Sequence, residues 1–353
     1  MSLWINSSIL ERRQMLQQVA TRMHFADCAA EKDWWVSLVL KAVFSLPTKE
    51  HMLFKGGTSL SKGWSLISRF SEDIDLTLSR AFFVNEKQLS CAACANNQQV
   101  KLLRKASRDY ITSEFCPALE RQIRQFGVHD FRLSPVQTRM RPDGEQVAID
   151  HDSDPTELVL EYTSIVEKRN AYVLPTVRIE ISCLGMDEPF EIREISSLVF
   201  DTLPEEDSEM RMSVPTVLPT RTFLEKAFLL NEEFQRANPR SLRMSRHLYD
   251  LERLMDTTFA TDALRDKDLY TSVINHRKRF YHVGGVDYST DMPMSINFVP
   301  QGEMMSMYKS DYINMLHTHI YDRSTALPYE RLLQRMEELR QRFRDCQWSK
   351  ALE

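Results

Sequence analysis

Glycine is scarce in this chain, nine in 353 residues, which argues against a glycine-rich all-β or low-complexity protein. No run of about 18 apolar residues occurs, so no membrane span is expected. Charge arrives early, at Glu11, Arg12 and Arg13, and leaves no apolar stretch of the kind a secretory signal needs. There is no internal repeat and no biased tract. The six cysteines (28, 91, 94, 116, 183 and 346) are scattered. Cys91-x-x-Cys94 is half of a zinc site, with no second CxxC and no CxH partner nearby. His317 and His319 are two apart in a helical stretch and do not face each other, so they make no metal pair. Positive charge is not in excess: the net charge is −5, and a nucleic-acid partner would need a local basic patch. What remains is an ordinary globular composition, 42% hydrophobic and 27% charged, expected in the reducing cytoplasm with free thiols. The length allows two or three domains, or one with a large helical extension.

Periodicity orders the chain. Residues 8–25 and 28–46 carry helical spacing, and the second stretch is strongly apolar; Pro47 ends it. Residues 96–126 read as one long helix with a basic beginning. Residues 129–141 alternate as a strand does, and 143–157 form a polar, turn-rich hairpin loop. Strands are expected at 158–166, 176–183 and 189–195. Residues 201–213 form an acidic loop, read as a mobile surface segment. After Pro215 and Pro219 the character changes: 220–237, 241–256, 262–282, 302–322 and 328–346 are helical by pattern. The expectation is α+β: residues 1–217 as a mixed domain with an open, largely antiparallel sheet, then an all-helical domain over 218–353.

One stretch carries chemistry. Residues 54–76 read FKGGTSLSKGWSLISRFSEDIDL. A strand end leads into Gly56-Gly57, then a helical segment with Leu60, Trp64 and Ile67 on one face, then the alternating run that starts at Asp73. Side chains at i and i+2 of a strand share a face, so Asp73 and Asp75 project together. Two adjacent carboxylates repel unless a cation sits between them, and paired divalent cations serve phosphoryl and nucleotidyl transfer. Bare backbone N–H groups at a helix start suit a phosphate. Each half also has a plain reading, a surface DxD and an ordinary turn. A third carboxylate would complete the set. On the strand at 176–182, Val177, Ile179 and Ile181 face the core, while Arg178, Glu180 and Ser182 share the other face. Glu180 is the candidate; Glu161, on the strand before, competes, and a solvated Glu180–Arg178 pair is the alternative.

KGGTSLSK followed by RFSEDIDL resembles the polymerase-β-like nucleotidyltransferases, and more specifically the AbiEii/AbiGii toxins of type IV toxin–antitoxin and abortive-infection systems. The close match covers residues 54–78, with weaker support to about residue 255; the gap from Thr58 to Asp73 is longer than the superfamily's usual one. The resemblance implies a polymerase-β-like nucleotidyltransferase domain followed by the helical one, with the site in the cleft between them. It implies an NTP held by Gly56, Gly57, Thr58, Ser59, Lys62 and Lys226, and two Mg²⁺ on Asp73, Asp75 and Glu180. Phe223-Leu224-Glu225-Lys226-Ala227 and Arg246 through Leu251 match two further family segments. Lys226 would neutralise the leaving phosphates, and Asp250 would orient Lys226 or an arginine; otherwise Lys226 is an ordinary helix face and Asp250 pairs with Arg246.

The implied acceptor is the 3′ end of a tRNA, and the implied partner is a cognate antitoxin. Arg243 and Arg246 on one stretch, and Arg277, Lys278 and Arg279 beside Phe280 and Tyr281 on another, are the basic patches for RNA; each is equally a solvated helix face. A small-molecule or protein acceptor, or a non-catalytic nucleotide- or RNA-binding module, are the other readings of the same chain.

Overall fold

The computed structural model describes residues 3–24, 26–90, 94, 96–141, 144–166, 173–186, 189–318, 326–346 and 348. The chain divides into two compact units: Met1–Gly63 with Phe70–Thr216, and Trp64–Arg69 with Val217–Glu353.

The first unit holds strands β1 (Met52–Lys55), β2 (Ile74–Leu78), β3 (Phe131–Pro135), β4 (Thr138–Met140), β5 (Gln146–Ala148), β6 (Thr156–Tyr162), β7 (Thr176–Ser182), β8 (Phe190–Ser196) and β9 (Arg211–Val217). Its helices are α1 (Ile9–Met23), α2 (Asp27–Val43), α3 (Gly56–Lys62), α4 (Arg80–Asn85), α5 (Asn97–Tyr110), α6 (Cys116–Gln125) and α7 (Leu198–Thr202). The main sheet has the order β3-β6-β7-β2-β1-β9-β8. β3/β6, β6/β7 and β1/β2 pair antiparallel; β2/β7 and β1/β9 pair parallel. The sheet is thus mixed. Ile74, Leu76, Val177, Ile179, Ile181, Leu158 and Leu160 are buried on one face. There Trp35 of α2 stacks on Tyr162 with ring centroids 4.7 Å apart. The alternation of β7 puts Val177, Ile179 and Ile181 in the core and leaves Arg178, Glu180 and Ser182 on the other side.

Local chemistry sets the ends. Ser8 and Glu11 form a reciprocal capping box on α1, worth about 1 kcal/mol. Residues 97–125 are helical throughout, but a π-turn at Ile111–Phe115 joins α5 to α6. Pro117 lacks an N–H and cannot return a bond to the preceding turn, which the wider turn accommodates. Residues 129–141 split into β3 and β4, and the stretch read as loop contributes β5, paired with β4. The acidic stretch 201–213 is not a free surface segment. Asp207 is fully buried and accepts from the Trp4 amide at 2.9 Å, Trp34 Nε1 at 3.2 Å and the Ser197 hydroxyl at 2.6 Å.

The second unit is helical: α8 (Pro219–Phe234), α9 (Ser245–Leu254), α10 (Thr258–Arg265), α11 (Lys267–Phe280), α12 (Met304–Thr318) and α13 (Tyr329–Arg344). The stretch 262–282 breaks because Asp266 caps α11, accepting from the Leu269 amide at 2.8 Å. Phe223, Phe228, Tyr270 and Phe343 form its aromatic core. Segment Trp64–Arg69 belongs to this unit, far from it in sequence. Among the described residues no helix is long and apolar enough to cross a membrane. Cys28, Cys94, Cys116, Cys183 and Cys346 are free and buried; Cys91 and His319 lie outside the described residues.

Candidate active site

β1 ends at Lys55, and α3 starts at the next residue. Gly56-Gly57 therefore form the first turn of the helix rather than a turn ahead of it. The helix stops at Lys62, so Trp64 and Ile67 do not continue its face. The N-cap residue of α3, Lys55, makes no capping bond through its side chain, and the first N–H groups of a helix have no partner within it. Gly56 has φ +79°, and a Cβ there would stand 1.8 Å from Asp75 Oδ2. The Asp75 carboxylate therefore rests against bare glycine backbone at the helix start. No other residue type fits: left-handed backbone costs roughly 1–2 kcal/mol with a side chain, and the clash adds to that.

Register fixes the neighbours of Asp75. It lies opposite Lys55 on β1 and Glu180 on β7. Paired residues of adjacent strands share a face and lie about 4.8 Å apart. Asp73 immediately precedes β2. Glu161 registers with Thr176 and Arg132 instead, away from Asp75. Glu157, which the sequence reading passed over, is opposite Glu180 and is bridged at 3.1 Å by Arg178. All of Asp73, Asp75 and Glu180 are partly exposed.

The hydroxyls of the helix start point inward. Thr58 and Ser59 are fully buried. Thr58 Oγ1 lies 2.9 Å from Ser71 Oγ and also bonds the Asp73 carbonyl, and Ser59 Oγ donates to the Gly56 carbonyl at 2.9 Å. Thr58 thus ties α3 to the backbone of Asp73. Lys62 turns away from any phosphate: its ammonium pairs with buried Asp33 at 2.7 Å and donates to the Ser196 carbonyl at 3.0 Å. Burial pushes the Asp33 carboxyl up, and Lys62 opposes the shift.

In the second unit Asp250 is fully buried and accepts three charged donors. Arg69 grips it as a fork, Nε to Oδ1 and Nη2 to Oδ2, both at 2.7 Å. Lys226 Nζ lies 2.8 Å from Oδ2. Burial alone raises the Asp250 carboxyl, but Arg69 and Lys226 outweigh it and hold it well below the usual range. Burial lowers Lys226, Asp250 opposes, and Arg69 and Arg246 add to the lowering. Burial, with Lys226 and Arg246 beside it, also holds His247 well below its usual value. Asp250 therefore orients both a lysine and an arginine, and the arginine is Arg69, 181 positions away, which no local spacing signals.

The basic patches divide. Arg277 is buried and pairs with Glu232 through 2.6 and 2.7 Å bonds. Burial opposes its charge, and the Glu232 carboxylate more than compensates, raising its pKa. It is committed inside the unit, not presented to RNA. Lys278 is exposed and Arg279 half-buried; Arg243 is exposed and Arg246 half-buried.

Hard divalent cations prefer carboxylate oxygens. Asp75 and Glu180 supply these side by side, next to a glycine that leaves room, so the residue types and their shared face fit such an ion. Among the described residues no three His, Cys, Asp or Glu side chains converge as a ready cage.

A mixed sheet backed by helices, with paired strand carboxylates beside a glycine helix start, fits a nucleotidyltransferase. The sequence matches the family model described as "Nucleotidyl transferase AbiEii toxin, Type IV TA system" over residues 39–346. The chain belongs to that family: it is a nucleotidyltransferase toxin of a type IV toxin–antitoxin system, as the motif resemblance implies. Its fold is similar to that of MenT4, a nucleotidyltransferase toxin from Mycobacterium tuberculosis H37Rv. The TM-score is 0.52 at 17% identity, with 94% of this chain and 93% of that chain covered. No curated protein matches the sequence.

Proposed function

We propose that this toxin moves a nucleoside monophosphate from an NTP to the 3′-terminal hydroxyl of a tRNA in the cytoplasm, blocking aminoacylation and halting growth until a cognate antitoxin relieves it. The observation that supports the transfer chemistry is the Asp75–Glu180 register pair against the Gly56 backbone; the tRNA acceptor follows from the family resemblance and the exposed cations.

Asp73, Asp75 and Glu180 are the residues that would hold two Mg²⁺. The bound ions would supply charge neutralisation of the triphosphate and a lowered pKa for the acceptor hydroxyl. Main-chain N–H groups at the start of α3, from Gly56 through Ser59, receive phosphate oxygens. The Thr58 hydroxyl holds the Asp73 backbone in place. The acceptor hydroxyl gives up its proton to water and attacks the α-phosphorus in line, the bond to the bridging oxygen breaks, and pyrophosphate leaves. Lys226, oriented by Asp250, serves the leaving phosphates. Lys62, bound to Asp33, supports α3 rather than the nucleotide. Arg243, Arg246, Lys278 and Arg279 carry the tRNA backbone.

The test is to incubate the protein with each labelled triphosphate and total tRNA in Mg²⁺, beside Asp73→Ala and an EDTA control. Label enters tRNA only with the wild type and metal. Label in a protein or small-molecule fraction overturns the tRNA assignment and selects another acceptor. Label nowhere overturns the transfer reaction.

A further inference from the structure

Segment 64–69 runs between the helix start and the carboxylate strand, yet it packs with the second unit. Apart from a turn at Trp64 and a bridge at Arg69 it has no regular structure, so side-chain and backbone contacts hold it. Trp64 Nε1 donates to the Val217 carbonyl at 3.0 Å. The Trp64 ring meets Phe259 edge-on, centroids 5.2 Å apart. The Ser68 amide donates to the Tyr249 hydroxyl at 3.3 Å. Arg69, only 4% exposed, closes the segment with its fork on Asp250.

The residues that follow are fixed in the first unit. Phe70 is buried at 3% exposure. Ser71 Oγ meets the Thr58 hydroxyl. Glu72 is buried and pairs with Lys32 at 2.6 Å. The next carbonyl is that of Asp73, held by Thr58. From Arg69 to Asp73 each residue is buried or hydrogen-bonded. Only three residues separate Arg69 from Asp73, so a shift at Arg69 has little chain over which to be absorbed before it reaches Asp73.

Asp250 has only two carboxylate oxygens, and both are occupied, Oδ1 by Arg69 and Oδ2 by Arg69 and Lys226 together. A carboxylate with about four lone-pair sites, buried and satisfied in this way, has the character of an anchor rather than of a free base.

We infer that Arg69 and Asp250 form a clasp that positions the carboxylate strand through residues 70–73, so that both are positioning residues for the transfer reaction and neither touches substrate. The clasp rests on the nucleotidyl-transfer reading of Asp73 and Asp75. It assigns Arg69 a part that local spacing does not indicate, and it gives Asp250 a second duty besides orienting Lys226.

The experiment compares wild type, Arg69→Gln, Arg69→Lys, Asp250→Asn and the Arg69→Gln/Asp250→Asn double variant. Steady-state transfer and hydrogen exchange of peptides covering 64–73 are measured on the same full-length preparations, with far-UV dichroism as the folding control. Arg69→Gln lowers kcat by about 100-fold, the scale of a roughly 1 Å misplacement of reacting groups. Its KM for NTP is unchanged, because the Arg69 guanidinium is engaged by Asp250. The double variant is no slower than the slower single variant, since both break one clasp. Arg69→Lys, which keeps the charge but not the fork, falls between wild type and Arg69→Gln, and its milder change preserves folding. Exchange rises in peptides 64–73 and not elsewhere.

A raised KM with unchanged kcat overturns the clasp, and so do additive losses in the double variant or unaltered exchange at 64–73 in a folded variant. Should the wild type transfer no nucleotide at all, the functional reading fails by that result alone. The exchange arm then decides the clasp independently: loosening confined to 64–73 upholds it and unaltered exchange sinks it.

Discussion

Glu180 gains its place from one hydrogen-bonded register. On β7 alone it is one of several polar outward residues, and Glu161 on β6 looks equally suited. Parallel pairing of β2 with β7 sets Glu180 beside Asp75, while Glu161 is set against Thr176 and Arg132. Strand alternation was readable from residue types, since apolar Val177, Ile179 and Ile181 declare the core face. Register was not, because it depends on which strands pair, and β2 and β7 are a hundred residues apart in the chain. The same limit hid Arg69 and Asp207, whose partners lie far off in sequence. Glu180→Gln keeps the shape and removes the charge. It is expected to lower kcat for nucleotidyl transfer on the order of 100-fold or more, with an unchanged melting temperature. Glu161→Gln leaves kcat as it was. Equal losses in the two variants would return the choice to Glu161 or deny both.

Helices of the second unit were legible as helices but not by the duty of each face. The run NHRKRFYH on α11 carries three consecutive cations, and composition treats them alike. Helical geometry does not: successive residues point about 100° apart, so Arg277 turns inward to Glu232 while Lys278 faces out. Missing the β9 strand has a similar origin. Pro215 interrupts it, and a proline normally argues against an interior strand, yet β9 pairs with β1 at Thr216. Two kinds of variant separate the faces of α11. Lys278→Ala with Arg279→Ala is expected to weaken tRNA binding and make the dependence of log K on log salt shallower by about 1.5, at constant melting temperature. Arg277→Met instead strands the buried Glu232 charge and costs about 3–5 kcal/mol of stability, read by denaturant unfolding. If Arg277→Met proves neutral to stability while RNA binding falls, the buried fork is misassigned.

Across the whole molecule, buried carboxylates set how stability responds to pH. Asp291 is fully buried; Asn231 donates to its Oδ1 at 2.8 Å, while Oδ2 has no hydrogen-bond partner among the described residues. Burial pushes its pKa up to about 7, Asn231 and Arg277 opposing and Glu232 and Asp287 adding to the rise. An unfolded aspartate titrates near 3.9, so the folded state keeps this proton to a higher pH. The group's contribution is therefore fully present below about pH 4 and lost as pH rises through about 7, by at most roughly 4 kcal/mol. Asp207, pushed up to about 6 by burial against its three donors, has the same sign. Asp250 has the opposite one: held low despite burial by Arg69 and Lys226, it stabilises above pH 4 and fails on acidification. Asp291→Asn keeps the shape of the protonated acid and removes the titration. Melting temperatures recorded from pH 5 to 8 should fall less steeply for the variant, and the difference from wild type should grow up to about pH 7 and then level off. Asp207 still titrates in that variant, so some slope persists. Parallel curves for the two proteins would mean that Asp291 is already ionised in the folded state, and that the Arg277–Glu232 pair beside it carries more positive character than its geometry implies.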